Sequence, residues 1–442
     1  MVSLDVYARA VERTRLVRAY GTVKQALGLV VEIAGIRAAI GDVVEIDDVL
    51  APRDAKPLDL EVTGFRGDHL LTTPLGSTTG VRPGQRVRLT TRGAEIPVGD
   101  ELIGRVIDAF GTPLDGLPPR VPRARAPVHA KPPPAVSRRP ISEPFTTGVK
   151  VLDALCTMGR GQRLGIFSGA GVGKTTLLGM LARGSSADVN VIALVGERGR
   201  EVNEFLLDTL GPDGLARSVI VCATSDEPPL VRARAADTAT AIAEHFRDQG
   251  KSVLLVMDSV TRYAMALREV ALATGELPAT KGYPPSVFAA LPRLLERAGT
   301  DAGPGAITAV YTVLVEGDDL SDPIPDAVRS ILDGHVVLAR DLADRGHFPA
   351  VDPLASLSRL SVALAPAEVT RAAQRLRELL GAYRGAKDLI QVGAYVRGSD
   401  ARVDRAVEMM PRIEAFLRQD MRESVRREDA SLVLTGLFEE NP

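Results

Sequence analysis

The spacing of apolar and polar residues changes along the chain, and each change marks a different kind of structure. In residues 1–20, Leu4, Tyr7 and Val11 recur at helical spacing, and arginines occupy many of the other positions. This pattern predicts an N-terminal amphipathic helix. A solvated surface helix, a membrane-surface helix and a partner-binding helix all fit the same pattern.

Short β-rich runs separated by glycine-containing turns fill residues 21–95. Several short strands at regular spacing predict a small antiparallel β-barrel. A barrel that binds single-stranded nucleic acid normally needs aromatic rings on which bases stack. The only aromatic residues before residue 96 are Tyr7, Tyr20 and Phe65. We therefore interpret the barrel as structural and expect no nucleic-acid partner.

The stretch 96–365 combines a linker with a predicted α/β core. Ten of the thirty prolines lie in residues 112–144, which predicts an extended connector that forms neither helix nor sheet. Beyond it, continuous apolar runs such as VNVIALVG and KSVLLVMDS alternate with helical stretches. Such alternation predicts a mostly parallel sheet that is covered by helices on both faces.

Residues 366–442 return to helical spacing with many charged positions, as in AEVTRAAQRLRELLGAY. We predict a third, α-helical domain here. A chain of 442 residues is long enough for several domains.

Composition narrows the classes of protein that fit this organisation. The formal net charge of −2 excludes a global basic field for nucleic acid. The two cysteines, Cys156 and Cys222, have no metal-ligand spacing, so we expect a reducing cytosol and no disulfide framework. Apolar runs are all shorter than the roughly 18 residues of a membrane span. We therefore expect a cytoplasmic protein.

The stretch SGAGVGKTT, residues 168–176, joins a predicted strand to a predicted helix. In such a loop, glycines let backbone N–H groups surround phosphate oxygens, and the helix presents its positive dipole end at the same point. Lys174 is expected to reach the terminal phosphates and Thr175 to ligate Mg²⁺. Ser168 replaces the glycine that usually begins this pattern. The predicted nucleotide-binding residues are Gly169, Ala170, Gly171, Val172, Gly173, Lys174, Thr175 and Thr176.

Two acidic residues follow predicted buried strands and complete a candidate site for nucleotide hydrolysis. Asp258 ends VLLVMD, which is where a carboxylate emerges beside a phosphate loop and can hold the magnesium shell. Glu197 follows VNVIALVG and can polarise the attacking water. Arg198 and Arg200 flank Glu197, where they can keep it ionised or contact phosphate.

Several longer stretches resemble one family. The phosphate loop together with GERGREVNEF, VMDSVTRYAMALREVA, GYPPSVFAALPRLLERAG and GHFPAVDPLASLSR is similar to the type III protein-export ATPases, which are relatives of the catalytic β subunit of rotary ATP synthases. The resemblance begins near Thr22 and continues into the C-terminal helices. It implies a RecA-like P-loop core preceded by a β-barrel and followed by an α-helical domain.

The resemblance also implies an activity, cofactors and partners. The implied protein is an ATPase that uses ATP and Mg²⁺ and assembles as a homohexamer. It is peripheral to the inner membrane on its cytoplasmic side, where a direct contact with the membrane surface is possible. Its implied partners are stalk and regulator proteins of the export apparatus, export chaperones and exported substrates.

The resemblance assigns roles to four site residues, one of which, Glu197, the strand pattern had already indicated. Glu197 occupies the position of the catalytic glutamate, and Arg359 matches an arginine finger supplied to a neighbouring subunit. Phe348 matches an aromatic residue that packs on adenine, and Tyr395 is aligned with the other adenine face.

Other functions fit parts of the pattern. A nucleic-acid translocase would need more basic and aromatic residues in the barrel, and a non-catalytic rotary subunit would lack Glu197. A catalytic rotary subunit would not normally begin with an arginine-rich helix. Between the two export systems, GYPPSVFAALPRLLERAG favours the flagellar one, whereas CATSDEPPLVR is partly typical of virulence injectisomes.

Overall fold

The computed structural model describes residues 19–47, 57–90, 95–120, 122–315, 317, 319 and 321–439. Residues 1–18 of the predicted N-terminal helix lie outside these ranges. In the part that is described, no helix is long and apolar enough to cross a bilayer.

The first six strands form the closed antiparallel barrel that the sequence predicted. Their order is β1-β2-β5-β4-β3-β6, and β6 pairs with β1 to close it. Alternate residues point inward, so Val31, Ile33 and Val44 are fully buried. The strands are Tyr20–Leu27 (β1), Val30–Ala34 (β2), Val43–Asp47 (β3), Leu58–Arg66 (β4), His69–Pro74 (β5) and Arg86–Thr90 (β6).

The predicted connector is partly ordered into strands, so the prediction that it forms no sheet is wrong. Glu95–Val98 (β7) pairs with Ala124–Pro127 (β9) in a two-stranded sheet, and Pro144–Phe145 (β10) pairs with Met158–Gly159 (β11). Pro127 and Pro144 stand at strand ends, where the missing N–H breaks no ladder.

A nine-stranded sheet forms the core of the α/β region. Its order is β19-β18-β12-β17-β15-β13-β14-β8, and β16 pairs with β17. The pairs along this order are parallel except β18 with β19, as predicted for strands that alternate with helices. The strands are Arg105–Ile107 (β8), Arg163–Ser168 (β12), Val189–Glu197 (β13), Ser218–Thr224 (β14), Ser252–Asp258 (β15), Gly299–Thr300 (β16), Ala306–Leu314 (β17), Gly334–Leu338 (β18) and Leu357–Ser358 (β19).

Ten helices of the described chain belong to this α/β region, and one π-helical stretch, Phe205–Leu210, lies among them. They are Lys150–Leu155 (α1), Lys174–Gly184 (α2), Gly199–Glu204 (α3), Gly211–Ala216 (α4), Pro229–Asp248 (α5), Val260–Ala273 (α6), Pro285–Leu295 (α7), Pro323–Ile331 (α8), Arg340–Asp344 (α9) and Ser361–Leu364 (α10).

Three helices form the predicted C-terminal helical region: Ala367–Gln391 (α11), Ala401–Leu417 (α12) and Arg427–Gly436 (α13). Their apolar faces do not form a separate core. Leu376, Ile413 and Leu434 are fully buried in the same hydrophobic cluster as Leu152 of α1 and Ile166 of β12. This shared core ties the helical region to the sheet.

An ion pair holds the edge strand β8. Arg105 is almost fully buried, and its guanidinium donates to both oxygens of Asp115 at 2.6 and 2.7 Å. The same carboxylate accepts the backbone N–H groups of Val106 and Leu117. These hydrogen bonds, with Arg105 first, lower the pKa of Asp115 to about 2.

We expect Asp115→Asn to lower the stability of the α/β region at pH 7, measured as the midpoint of urea unfolding. A lowered carboxyl pKa contributes stability above its unfolded value near 3.8, and this is lost as pH falls towards about 2. The difference between the variant and the natural chain should therefore shrink below about pH 4. Asp388→Asn, at an exposed position of α11, is the control. A difference that stays constant down to pH 3 would mean that the charge of Asp115 does not stabilise the strand.

Candidate functional site

The phosphate loop connects the end of β12 to the start of α2. Gly171 and Gly173 have φ values of +77° and +94°, in the left-handed region that favours glycine. Gly173 directly precedes α2, so the loop delivers its N–H groups at the positive end of that helix. The carbonyl of Ala170 accepts a hydrogen bond from Arg340 Nη1 at 3.2 Å, which links the loop to α9.

The sheet brings the predicted site residues to one edge. β12, β13 and β15 run parallel, and they end at Ser168, Glu197 and Asp258 respectively. Leu194 pairs with Asp258, so the ends of β13 and β15 are neighbours. Ligands of open α/β sheets bind at this carboxyl edge.

Lys174 lies between the two carboxylates. Its ammonium donates to Asp258 Oδ1 and is 3.6 Å from Glu197 Oε1. Thr312 Oγ1 donates to the same Asp258 oxygen at 2.8 Å, which fixes that carboxylate. Burial lowers the pKa of Lys174, but the two carboxylates outweigh this and raise it overall. Lys174 therefore carries a charge that the carboxylates of Asp258 and Glu197 compensate.

Glu197 is the less constrained of the two carboxylates. Its Oε1 is buried and has no hydrogen-bond partner among the described residues. Burial raises the pKa of Glu197 to about 7; Lys174 opposes this shift, and the charge of Asp258 adds to it. A carboxyl group that titrates near neutrality, with one oxygen that accepts no hydrogen bond, can accept a hydrogen bond or a proton from a bound water.

The arginines beside Glu197 do not contact it. Arg198 is exposed and pairs with Glu201 at 3.0 Å, and Arg200 pairs with Glu204 at 2.7 Å. The interpretation that they keep Glu197 ionised is therefore wrong, because both side chains turn to their own helix, α3. Their roles towards phosphate stay predictions.

The arginine that favours the ionised form of Glu197 is Arg262 of α6, and not Arg198 or Arg200. Its side-chain carbons lie against Gly196, where an added Cβ would come within 3.3 Å of them. Its charge lowers the pKa of Glu197. No motif in the sequence pointed to this residue. The only signal was its position one helical turn beyond Asp258.

Phe348 lies against the phosphate loop. A Cβ added to Gly173 would come within 3.3 Å of the Phe348 ring, which is partly exposed. The Phe348 carbonyl accepts the backbone N–H of Gln419 at 3.0 Å. Gln419 also accepts from Lys150 N and donates to the Gly148 carbonyl. Gln419 thus holds the aromatic residue in place, and no sequence motif had indicated it.

Tyr395 is not part of this cluster. It lies in the turn between α11 and α12, where its hydroxyl donates to the carbonyl of Asp400 at 3.0 Å and bonds to Asp404. The 17-residue helix α12 separates this turn from Gln419 by about 25 Å. The structure therefore corrects the prediction that Tyr395 contacts the face of adenine opposite Phe348.

Arg359 directly follows β19, far from the phosphate loop of its own chain. Ser358 pairs with Gly334 at the start of β18, whereas Leu338 at the end of β18 pairs with Ser168. These positions differ by roughly 13 Å along the strands. Arg359 is exposed, and it forms no salt bridge with any residue that the structure describes.

Few side chains of the described residues are placed to bind a metal ion at this site. No group of three or more histidine, cysteine or acidic residues in the described ranges could hold a metal ion. Thr175 is exposed at the first turn of α2, and Asp258 ends β15 at the same edge. This pair fits Mg²⁺, which keeps several waters and takes its other ligands from substrate phosphates.

Family models and individual relatives agree on the family to which this chain is similar. Residues 148–358 match the ATP synthase alpha/beta family, nucleotide-binding domain, and residues 365–435 match the T3SS EscN ATPase C-terminal domain. The chain is 49% identical to the flagellum-specific ATP synthase of Bacillus subtilis, over 97% of both chains. It is also 49% identical to the type 3 secretion system ATPase of Xanthomonas euvesicatoria, over 96% of this chain and 95% of the other.

Solved structures are similar over nearly the whole chain, as the following one illustrates. It is the assembled ATPase EscN in complex with its central stalk EscO, from the type III secretion system of enteropathogenic E. coli. The TM-score is 0.86 at 43% identity, and the match covers 94% of this chain and 99% of that one.

We expect Glu197→Gln to bind ATP with Mg²⁺ but to lose most turnover, because the amide keeps the shape of the side chain and cannot accept a proton. Lys174→Ala should lose binding as well, because it removes the ammonium that is predicted to reach the phosphates and leaves Asp258 without its cation. Binding of a fluorescent ATP analogue and steady-state phosphate release measure the two effects, and Glu368→Gln, at an exposed position of α11, is the control. Near-normal turnover in Glu197→Gln would remove Glu197 from the reaction.

Proposed function

The chain belongs to the type III export ATPases of the ATP synthase alpha/beta family, and we propose that it is the flagellum-specific member, hydrolysing ATP to energise protein export. The observation that supports hydrolysis most directly is the buried Lys174 beside Asp258 and Glu197 at the end of a glycine loop. This arrangement offers a cation for phosphate and a carboxylate for water, and the two carboxylates serve different roles.

The residues divide the reaction between them. The N–H groups of residues 169–174 bind the phosphates, and Lys174 exchanges its carboxylate partners for phosphate oxygens. Thr175 and Asp258 would hold Mg²⁺, which neutralises charge on the phosphates. Glu197 orients the attacking water and accepts its proton; a pKa near 7 suits this role at neutral pH. The Phe348 ring packs on adenine.

Arg359 completes the site of a neighbouring subunit. Its distance from its own phosphate loop and its exposure support a role between subunits. A guanidinium supplied in this way stabilises charge on the transferred phosphoryl group. We therefore propose a homohexamer that contacts a central stalk, by analogy with the assembled EscN–EscO complex.

The same proposal includes a place in the cell. The assembly acts at the cytoplasmic side of the inner membrane, where it receives export chaperones and their substrates. The chain is equally identical in sequence to a flagellar relative and to a type 3 secretion relative. ATP hydrolysis for an injectisome is therefore the second candidate function. The stretch GYPPSVFAALPRLLERAG favours the flagellar function.

If Arg359 acts between subunits, specific ATPase activity should rise steeply with protein concentration. Arg359→Ala should abolish this rise and cost roughly 10³–10⁵ in rate, with nucleotide binding to the single chain unchanged. Arg371→Ala, at an exposed position of α11, is the matched control.

Mixing Arg359→Ala with Glu197→Gln chains should restore some activity, because one mixed interface pairs an intact Glu197 with an intact Arg359. Activity that is independent of concentration, with no rescue in the mixture, would contradict the shared site.

A further inference from the structure

A cavity of about 340 Å³ lies between α9 with its following loop on one side and helices α11 and α12 on the other. It is separate from the phosphate loop. None of the residues assigned above to nucleotide, metal or catalysis lines it.

The inner wall of this cavity is apolar. Leu342 of α9, Leu380 of α11, and Met410 and Leu417 of α12 form it, together with Tyr383. Such a surface favours a ligand whose body is hydrocarbon or aromatic.

The charged residues at the cavity largely neutralise one another. Asp341 pairs with Arg345 at 3.0 Å and with Lys387 at 3.3 Å, and Asp352 pairs with Arg384 at 2.8 Å. Counting Glu414, which also lines the cavity, three cations face three carboxylates. An anionic ligand would have to displace a carboxylate from one of these pairs, and the equal numbers of cations and carboxylates favour a ligand that is neutral overall.

Two lining groups still lack partners. Arg418 Nε donates to His347 Nδ1 at 3.4 Å, so a neutral His347 carries its hydrogen on Nε2. That Nε2 is buried and has no hydrogen-bond partner among the described residues. Glu414 forms no ion pair within the described chain. A hydroxyl group is a small neutral group whose oxygen can accept from His347 and whose hydrogen can be donated to Glu414.

We propose that this cavity is an allosteric site for a neutral, largely apolar small molecule that carries a hydroxyl group. The bound molecule packs against the apolar wall and forms hydrogen bonds with His347 and Glu414. It thereby bridges α9 and the C-terminal helices.

The elements around the cavity lead directly to the nucleotide site. His347 precedes Phe348, and α9 begins at Arg340, which donates to Ala170 of the phosphate loop. On the other side, α12 ends at Leu417, two residues before the Gln419 that holds the Phe348 carbonyl. A ligand that bridges these elements changes the affinity for ATP. This coupling, unlike the binding itself, rests on the proposed function.

The binding test is a calorimetric titration of the full-length chain with 1-naphthol. Naphthalene, which has the same ring system without the hydroxyl, is the control compound. The natural chain should bind 1-naphthol more tightly than naphthalene. His347→Phe should lose that preference, and Leu380→Trp should bind neither compound because indole fills the cavity.

Leu389→Trp, at an exposed position of the same helix, should bind both as the natural chain does. Circular dichroism of each variant confirms that it is folded. In the natural chain, protection of α11 and α12 from hydrogen exchange on adding 1-naphthol gives a reading that needs no variant. Absence of binding, or binding that Leu380→Trp leaves intact, would overturn the site.

The coupling test repeats the 1-naphthol titration with ATP bound to the Glu197→Gln chain. Linkage requires that ATP changes 1-naphthol affinity by the same factor by which 1-naphthol changes ATP affinity, and we expect about fivefold or more. Equal 1-naphthol affinity with and without bound ATP would overturn the regulation and leave the site standing. Failure of ATP to bind at all would instead count against the proposed function.

Discussion

The buried ammonium of Lys174 is the group on which the site depends. A charge removed from water is costly unless protein groups compensate it, and here Asp258 and Glu197 do so. Compensation requires that strands β12, β13 and β15 end together, which the parallel sheet ensures. It also requires the left-handed glycines that bring Lys174 to the start of α2. In the proposed function, phosphate oxygens replace the two carboxylates as the partners of this cation, and Glu197 then accepts a hydrogen bond from water.

The C-terminal helices have a direct connection to this site. They share the apolar core of the α/β region, and Gln419 couples the end of α12 to Phe348. The segment from Arg340 to Phe348 is therefore held from two sides, by the phosphate loop through Arg340 and by the helices through Gln419. A movement of the helices relative to the sheet would reach the nucleotide through these contacts.

Local patterns in the sequence predicted much of this structure, and their limits are physical. The barrel, the parallel sheet and the phosphate loop depend on alternation and glycine spacing over a few residues. Asp258 and Glu197 were identified because a buried strand ends before each. Arg198 was misjudged because neighbours in sequence turn to different sides of a helix start. Arg262 and Gln419 act through contacts between distant segments, which no spacing reveals. The prediction for Tyr395 rested on alignment alone, and the 17-residue helix α12 places this residue far from Phe348.

The most direct test of the central claim is a structure of the assembled chain with ADP, aluminium fluoride and Mg²⁺. The account expects Lys174 Nζ on the phosphate mimic and away from Asp258, with Thr175 and Asp258 around the metal. It also expects Glu197 beside the attacking water and Arg359 of the adjoining chain against the mimic. A nucleotide bound at this loop while Lys174 remains paired with Asp258 would contradict the account.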